Sequence, residues 1–64
     1  MIADRKVIAC AMIDKDYNVE KLADVTGLKR LTISKAKNGK SIAESSFMKI
    51  CKALDIKPKD LLAD

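Results

Sequence analysis

The chain is predicted to be all-α, a compact bundle of five short helices whose second and third form a helix-turn-helix. Three observations lead there. Apolar residues recur at helical spacing, most clearly Phe47, Ile50, Cys51 and Leu54 at i, i+3, i+4 and i+7. Stop signals fall at short intervals: D-K-D-Y-N from Asp14, then Gly27, Asn38-Gly39, and Asp55 to Pro58. No sustained β-branched alternation appears, and Gly and Pro together number three in 64 residues. With Tyr17 and Phe47 the only aromatics, the core has to come from Ile, Leu, Val, Met and Ala. That composition suits packed helices and argues against a sandwich or barrel. Residues 1–64 make one domain, which buries only about 60% of the surface its unfolded chain exposes.

The first helix is expected from Ala3 or Asp4 to Asp14. Asp4 is a favourable first-turn acid, and Val7, Ile8, Ala11 and Met12 form its apolar stripe. Cys10 and Ile13 widen the apolar surface beyond one stripe. The second helix, Val19 to Val25, has Asn18 as N-cap and Leu22 and Ala23 as its inward pair. Gly27 supplies the left-handed turn. The third helix runs from Lys29 to about Asn38 and stops at Gly39. A connection from Lys40 to Ala43 leads to the fourth helix, Glu44 to Leu54. Pro58 suits the first turn of a last helix to Leu62, where a missing N–H costs nothing, and Leu61 and Leu62 close the bundle.

The third helix sorts its residues by angle. At 100° per residue, Ile33 and Ala36 point inward, while Leu31, Ser34, Lys35 and Asn38 point out with Arg30 and Thr32 on the flanks. From Lys29 to Lys40 lie five cations (Lys29, Arg30, Lys35, Lys37, Lys40) and no acid. The net charge is +4, so the remaining residues together carry −1. Positive charge gathered on one exposed element is the electrostatic footprint of a nucleic-acid reader.

The run from Asn18 to Lys40, N-V-E-K-L-A-D-V-T-G-L-K-R-L-T-I-S-K-A-K-N-G-K, resembles the helix-turn-helix of the Cro/CI-type phage-repressor-like family, also called the XRE family. The matching positions are Glu20, Leu22, Ala23, Thr26, Gly27, Arg30, Thr32, Ile33, Ser34, Lys35, Asn38, Gly39 and Lys40. The likeness continues through K-I-C-K-A-L-D-I-K-P-K-D-L-L, Lys49 to Leu62. It implies a lambda-repressor-like bundle that binds double-stranded DNA. The third helix would enter the major groove, with Arg30, Leu31, Thr32 and Lys35 facing base edges. Phosphate contacts would come from Asn18, Lys29, Ser34, Asn38, the Gly39 amide and Lys40. The family setting also implies a bacterial or phage-encoded regulator acting as a homodimer on a pseudo-palindromic operator, with the dimer surface near the C-terminal helix and the loop before the fourth helix.

Five positions depart from the family pattern. Val19 stands where a Gln commonly braces a phosphate. Lys29 stands where Ser or Thr usually caps the third helix; a Lys side chain cannot cap, and Thr26 is an earlier candidate. Met12 and Lys37 replace an Arg–Glu bridge between the first and third helices. Loss of both partners together is tolerable, whereas loss of one costs about 3–5 kcal/mol. It also leaves Lys37 free to face solvent or DNA. At the end of the first helix the family commonly has Gly, and this chain has Asp16, which tolerates a left-handed conformation better than most residues.

Other classes fare worse. With no His, no Gly-rich phosphate loop and little bulk to enclose a pocket, an enzyme is not expected, nor a small-molecule substrate or cofactor. Cys10 and Cys51 read as small buried hydrophobes. They are too few for a zinc site and unsuited to a disulfide in a reducing compartment. No signal peptide or membrane span is recognisable, so a cytoplasmic protein is expected. The competing reading is a protein-interaction module, an antitoxin or adaptor that binds through the apolar surplus of the first helix or through Ser41 to Ser46.

Overall fold

The computed structural model describes residues 1–63. Along them run α1 (Arg5–Asp14), α2 (Val19–Thr26), α3 (Arg30–Lys37), α4 (Glu44–Leu54) and α5 (Pro58–Leu61). Each helix gives at least one fully buried apolar residue to a shared centre: Ile8, Leu22, Ile33, Phe47 with Ile50, and Leu61. Burying a side chain of this size stabilises by about 1.5–3 kcal/mol, so the centre holds the five elements together. Around it, α2 packs on α3 and α4, and α1 packs on α3 and α5.

The helix ends follow local chemistry. Asp4 is the N-cap of α1 rather than a first-turn acid, its Oδ1 accepting from Lys6 N–H and Val7 N–H at 2.9 and 3.1 Å. Asp16 adopts the left-handed conformation that its position requires, with φ 57°. Asn18 Oδ1 accepts from Lys21 N–H at 2.7 Å, and Gly27, at φ 72°, closes α2 with its amide on Ala23 O. Thr26 does not cap α3. Its hydroxyl donates to Leu22 O at 2.7 Å and accepts from Leu28 N–H at 3.3 Å, so it stitches the turn instead. Lys29 is the N-cap of α3 and makes no side-chain capping bond.

Two expectations are corrected. Cys51 is buried, but Cys10 is exposed. With Ile8, Ala11 and Met12 facing the core, Cys10 lies about 100° around α1 from Ala11, outside the inward stripe. Leu61 closes the bundle alone, because Leu62 has left the helix for an extended conformation and is 42% exposed.

One feature had no signal in the residue types. Met1 to Asp4 run extended between the loop before α4 and the chain's last described residues. Met1 N donates to Ile42 O at 2.7 Å and Ile42 N–H to Met1 O at 2.8 Å. Ala63 N–H donates to Ile2 O at 2.8 Å, and Asp4 N–H to Leu61 O at 2.6 Å. Isolated bridges pair Ile2 with Ser41 and Ala3 with Leu62. This clasp buries Ala3 and Ile42, two core residues outside any helix. It also lies across the loop and C-terminal region where a dimer surface was expected.

Candidate nucleic-acid interface

α3 is the element on which the charge pattern converges, and its eight residues divide as the angular reading predicts except at Ser34, expected to point outward and found half-buried. Ile33 and Ala36 are fully buried. Arg30, Leu31, Lys35 and Lys37 are exposed, and Thr32 and Ser34 are half-buried on the flanks. Leu31 is 66% exposed although apolar. The position of the missing Arg–Glu bridge is resolved in the same way: Met12 is 3% exposed within the core, and Lys37 faces solvent.

The two ends of α3 differ in electrostatics. Its first turn holds no acid and its N-cap offers no side-chain acceptor. The positive end of the helix dipole therefore stays unneutralised and favours an anion. The last turn carries Lys35 and Lys37. Its carbonyls are met by the backbone beyond: Asn38 N–H bonds Ser34 O at 3.0 Å, Gly39 N–H reaches Ala36 O at 3.3 Å, and Lys40 N–H reaches Lys35 O at 2.9 Å. Gly39, at φ 73°, makes this Schellman-type closure possible.

The remaining candidates are thus placed. Asn18 is exposed at the start of α2 with its carbonyl oxygen held by the cap, leaving its amide nitrogen as a donor. Lys29, Asn38 and Lys40 are exposed at the ends of α3. Asn38 Nδ2 lies 3.5 Å from Ser34 Oγ, a weak link between two outward polar groups. The Gly39 amide, expected from sequence to meet a phosphate, is directed at Ala36 O. Ser41 and Ser46, unassigned to the DNA face by sequence, line a polar groove with Thr32 and Lys35. Only folding brings the start of α4 beside α3, so residue spacing alone carried no sign of it.

No helix among the described residues is long and apolar enough to cross a membrane. Burial pushes the Cys51 thiol above its ordinary value, against a smaller lowering by a backbone hydrogen bond; this group is remote from α3 in sequence and belongs to the core.

No curated protein matches the chain in sequence. In fold, the whole chain superposes on part of a hydroxyethylphosphonate dioxygenase mutant, with TM-score 0.85 and 23% identity, and on native PhpD with cadmium atoms, with TM-score 0.82 and 23% identity. In both cases it spans 14% of the longer chain's length, and at this identity the likeness concerns the fold alone. The sequence pattern of the Cro/C1-type helix-turn-helix DNA-binding domain matches residues 8–64. Both helices of the motif, its turn, α4, α5 and all but the first three residues of α1 fall inside that match, and the chain belongs to the Cro/C1-type helix-turn-helix DNA-binding domain family.

Proposed function

We propose that this DNA-binding regulator is a sequence-specific, Cro/CI-like repressor of prophage or mobile-element type. The observation that carries the reading is the outer face of α3: Arg30, Leu31 and Lys35 stand clear of the protein over a helix anchored by Ile33 and Ala36. In the major groove, Arg30 would donate two hydrogen bonds to guanine O6 and N7, with Lys35 doing so less rigidly. Leu31 and the Thr32 methyl would pack on thymine methyl groups. Asn18, Lys29, Ser34, Asn38 and Lys40 would hold phosphates and set register without reading sequence.

A motif this small reads only a few base pairs. The functional unit is therefore a homodimer with α3 helices about 34 Å apart on a pseudo-palindromic site. If each subunit neutralises four to six phosphates, log K falls with log[salt] at a slope of about −4 to −5 per subunit.

The test is selection from random duplexes followed by fluorescence anisotropy at several salt concentrations. A recovered site with two half-sites and a steep salt slope supports the reading. Failure to bind any duplex in dilute buffer overturns it. The competing protein-interaction reading draws on Ile13, 77% exposed on α1, and would gain ground only under that second outcome.

A further inference from the structure

We infer that Arg5, at the start of α1, is a phosphate-binding residue of the same interface, held in place by Gly39. The inference rests on the DNA-binding reading of α3. Its observation is a close approach across the fold. A Cβ built on Gly39 would lie 3.0 Å from Arg5 Cδ and 3.2 Å from Arg5 Cγ. The arginine stem therefore runs directly over the residue that ends the recognition helix. The guanidinium begins at the atom bonded to Cδ, so its Nε lies one bond from an atom packed over Gly39.

Three features make this a placement rather than a chance contact. The clasp ties Met1 to Ile42 and Asp4 to Leu61, which sets the start of α1 against the segment following α3. Gly39 has no side chain to displace the stem, and its left-handed backbone brings Lys40 N–H back onto Lys35 O. Among the described residues, Asp4 Oδ1 is engaged by Lys6 N–H and Val7 N–H, and the α3 carbonyls of Ser34, Lys35 and Ala36 by the amides that follow the helix. Arg5 itself is exposed.

A planar cation with five donors, laid beside Asn38 and Lys40 at the end of α3, is matched to a phosphodiester oxygen pair. It takes the place that the Gly39 amide would have filled had Ala36 O not claimed that donor. The ligand class is the sugar–phosphate backbone of duplex DNA. Arg5 thus adds affinity and register without adding base preference.

The test is anisotropy titration of the wild-type protein, Arg5→Met, Arg5→Lys and Lys15→Met on one duplex from 0.05 to about 0.3 M salt, a range over which counterion release is read as a slope. Methionine keeps an aliphatic stem on Gly39 and removes the charge. Lys15→Met removes the same charge from the opposite end of α1. Arg5→Met is expected to weaken binding roughly five- to tenfold at 0.1 M salt and to flatten the slope by about 0.9. The same fold-change should appear on preferred and scrambled duplexes. Arg5→Lys should restore most of the slope, and Lys15→Met should leave it unchanged. Equal effects of Arg5→Met and Lys15→Met would reduce Arg5 to general charge and overturn the inference, as would wild-type binding by Arg5→Met. Absence of binding by the wild type would instead sink the underlying DNA reading.

Discussion

The two glycines adopt the same backbone conformation, φ 72° at Gly27 and φ 73° at Gly39, in different surroundings. An added Cβ at Gly27 meets nothing within 4 Å, whereas at Gly39 it meets Arg5 Cδ and Cγ at 3.0 and 3.2 Å. Gly→Ala at either site imposes a left-handed penalty of about 1–2 kcal/mol. Alanine also restricts the unfolded chain, which returns about 0.4–1 kcal/mol. Gly27→Ala should therefore destabilise by about 1 kcal/mol, near 4–8 °C in Tm for a domain of this size. Gly39→Ala carries the same term and must also push the Arg5 stem off its rotamer, a further 0.5–1.5 kcal/mol or so. The assay is thermal unfolding followed by far-ultraviolet circular dichroism, for both variants in the wild-type and Arg5→Ala backgrounds. Removing the Arg5 stem should abolish the excess at Gly39 and leave Gly27→Ala unchanged. If the two substitutions cost the same in both backgrounds, Arg5 does not rest on Gly39 and its assignment to the interface loses its geometric basis.

Leu31→Ala removes a largely exposed side chain, so stability should shift by less than about 0.5 kcal/mol while affinity for the selected duplex falls; equal loss in both measurements would show Leu31 to be structural. Arg30→Ala should cost about 1–3 kcal/mol at one base position and relax preference there; uniform loss across all duplexes would place Arg30 on phosphate alone. Asp16→Gly relieves a left-handed aspartate at φ 57° and should raise stability by about 0.5 kcal/mol, the balance of backbone relief and a freer unfolded chain; a lower Tm would contradict it. For the cysteines, Cys10 should react with a thiol reagent at once and Cys51 only on unfolding. Because burial raises the Cys51 thiol above 9.0, the folded state keeps a proton that the unfolded chain sheds. The contribution is thus complete below pH 9 and falls as pH climbs through the folded value. Cys51→Ala should lack that part of the alkaline decline seen in the wild type.

The helices and the divided face of α3 were legible because each is written in side-chain periodicity or in one residue's special backbone freedom. Gly27 and Gly39 mark the turn and the stop, and Ile33 and Ala36 point to the core, as spacing requires. What escaped was written in backbone hydrogen bonds. The clasp joins Met1, Ile2 and Asp4 to Ile42, Ala63 and Leu61 through amides and carbonyls that every such residue owns, so residue type carries no trace of it. The Cys10 and Leu62 errors have separate causes. Cys10 sits beside a true core residue, and counting apolar neighbours does not separate residues that point about 100° apart on a helix; Leu62 lies one residue past the end of α5, where the extended backbone carries it away from the core. Ser41 and Ser46 join Thr32 and Lys35 only through the tertiary arrangement of α3 and α4.

A helix as exposed as α3 holds its shape through its surroundings. Eight residues are too few for a stable isolated helix in water, and α3 gives only Ile33 and Ala36 to the fully buried core. Lys29 makes no side-chain cap for it. Its order must therefore be imposed from outside: by the turn that Thr26 stitches and Gly27 permits, by packing on α1 and α2, and by the closure after Asn38 that Gly39 allows. The outward residues are consequently free to be chosen for what they bind, since none is required for the helix to persist. A substitution at Arg30 or Lys35 should alter which duplex is held while leaving the fold intact, whereas one at Gly27 or Ile33 should weaken binding to every duplex by loosening the helix that presents them.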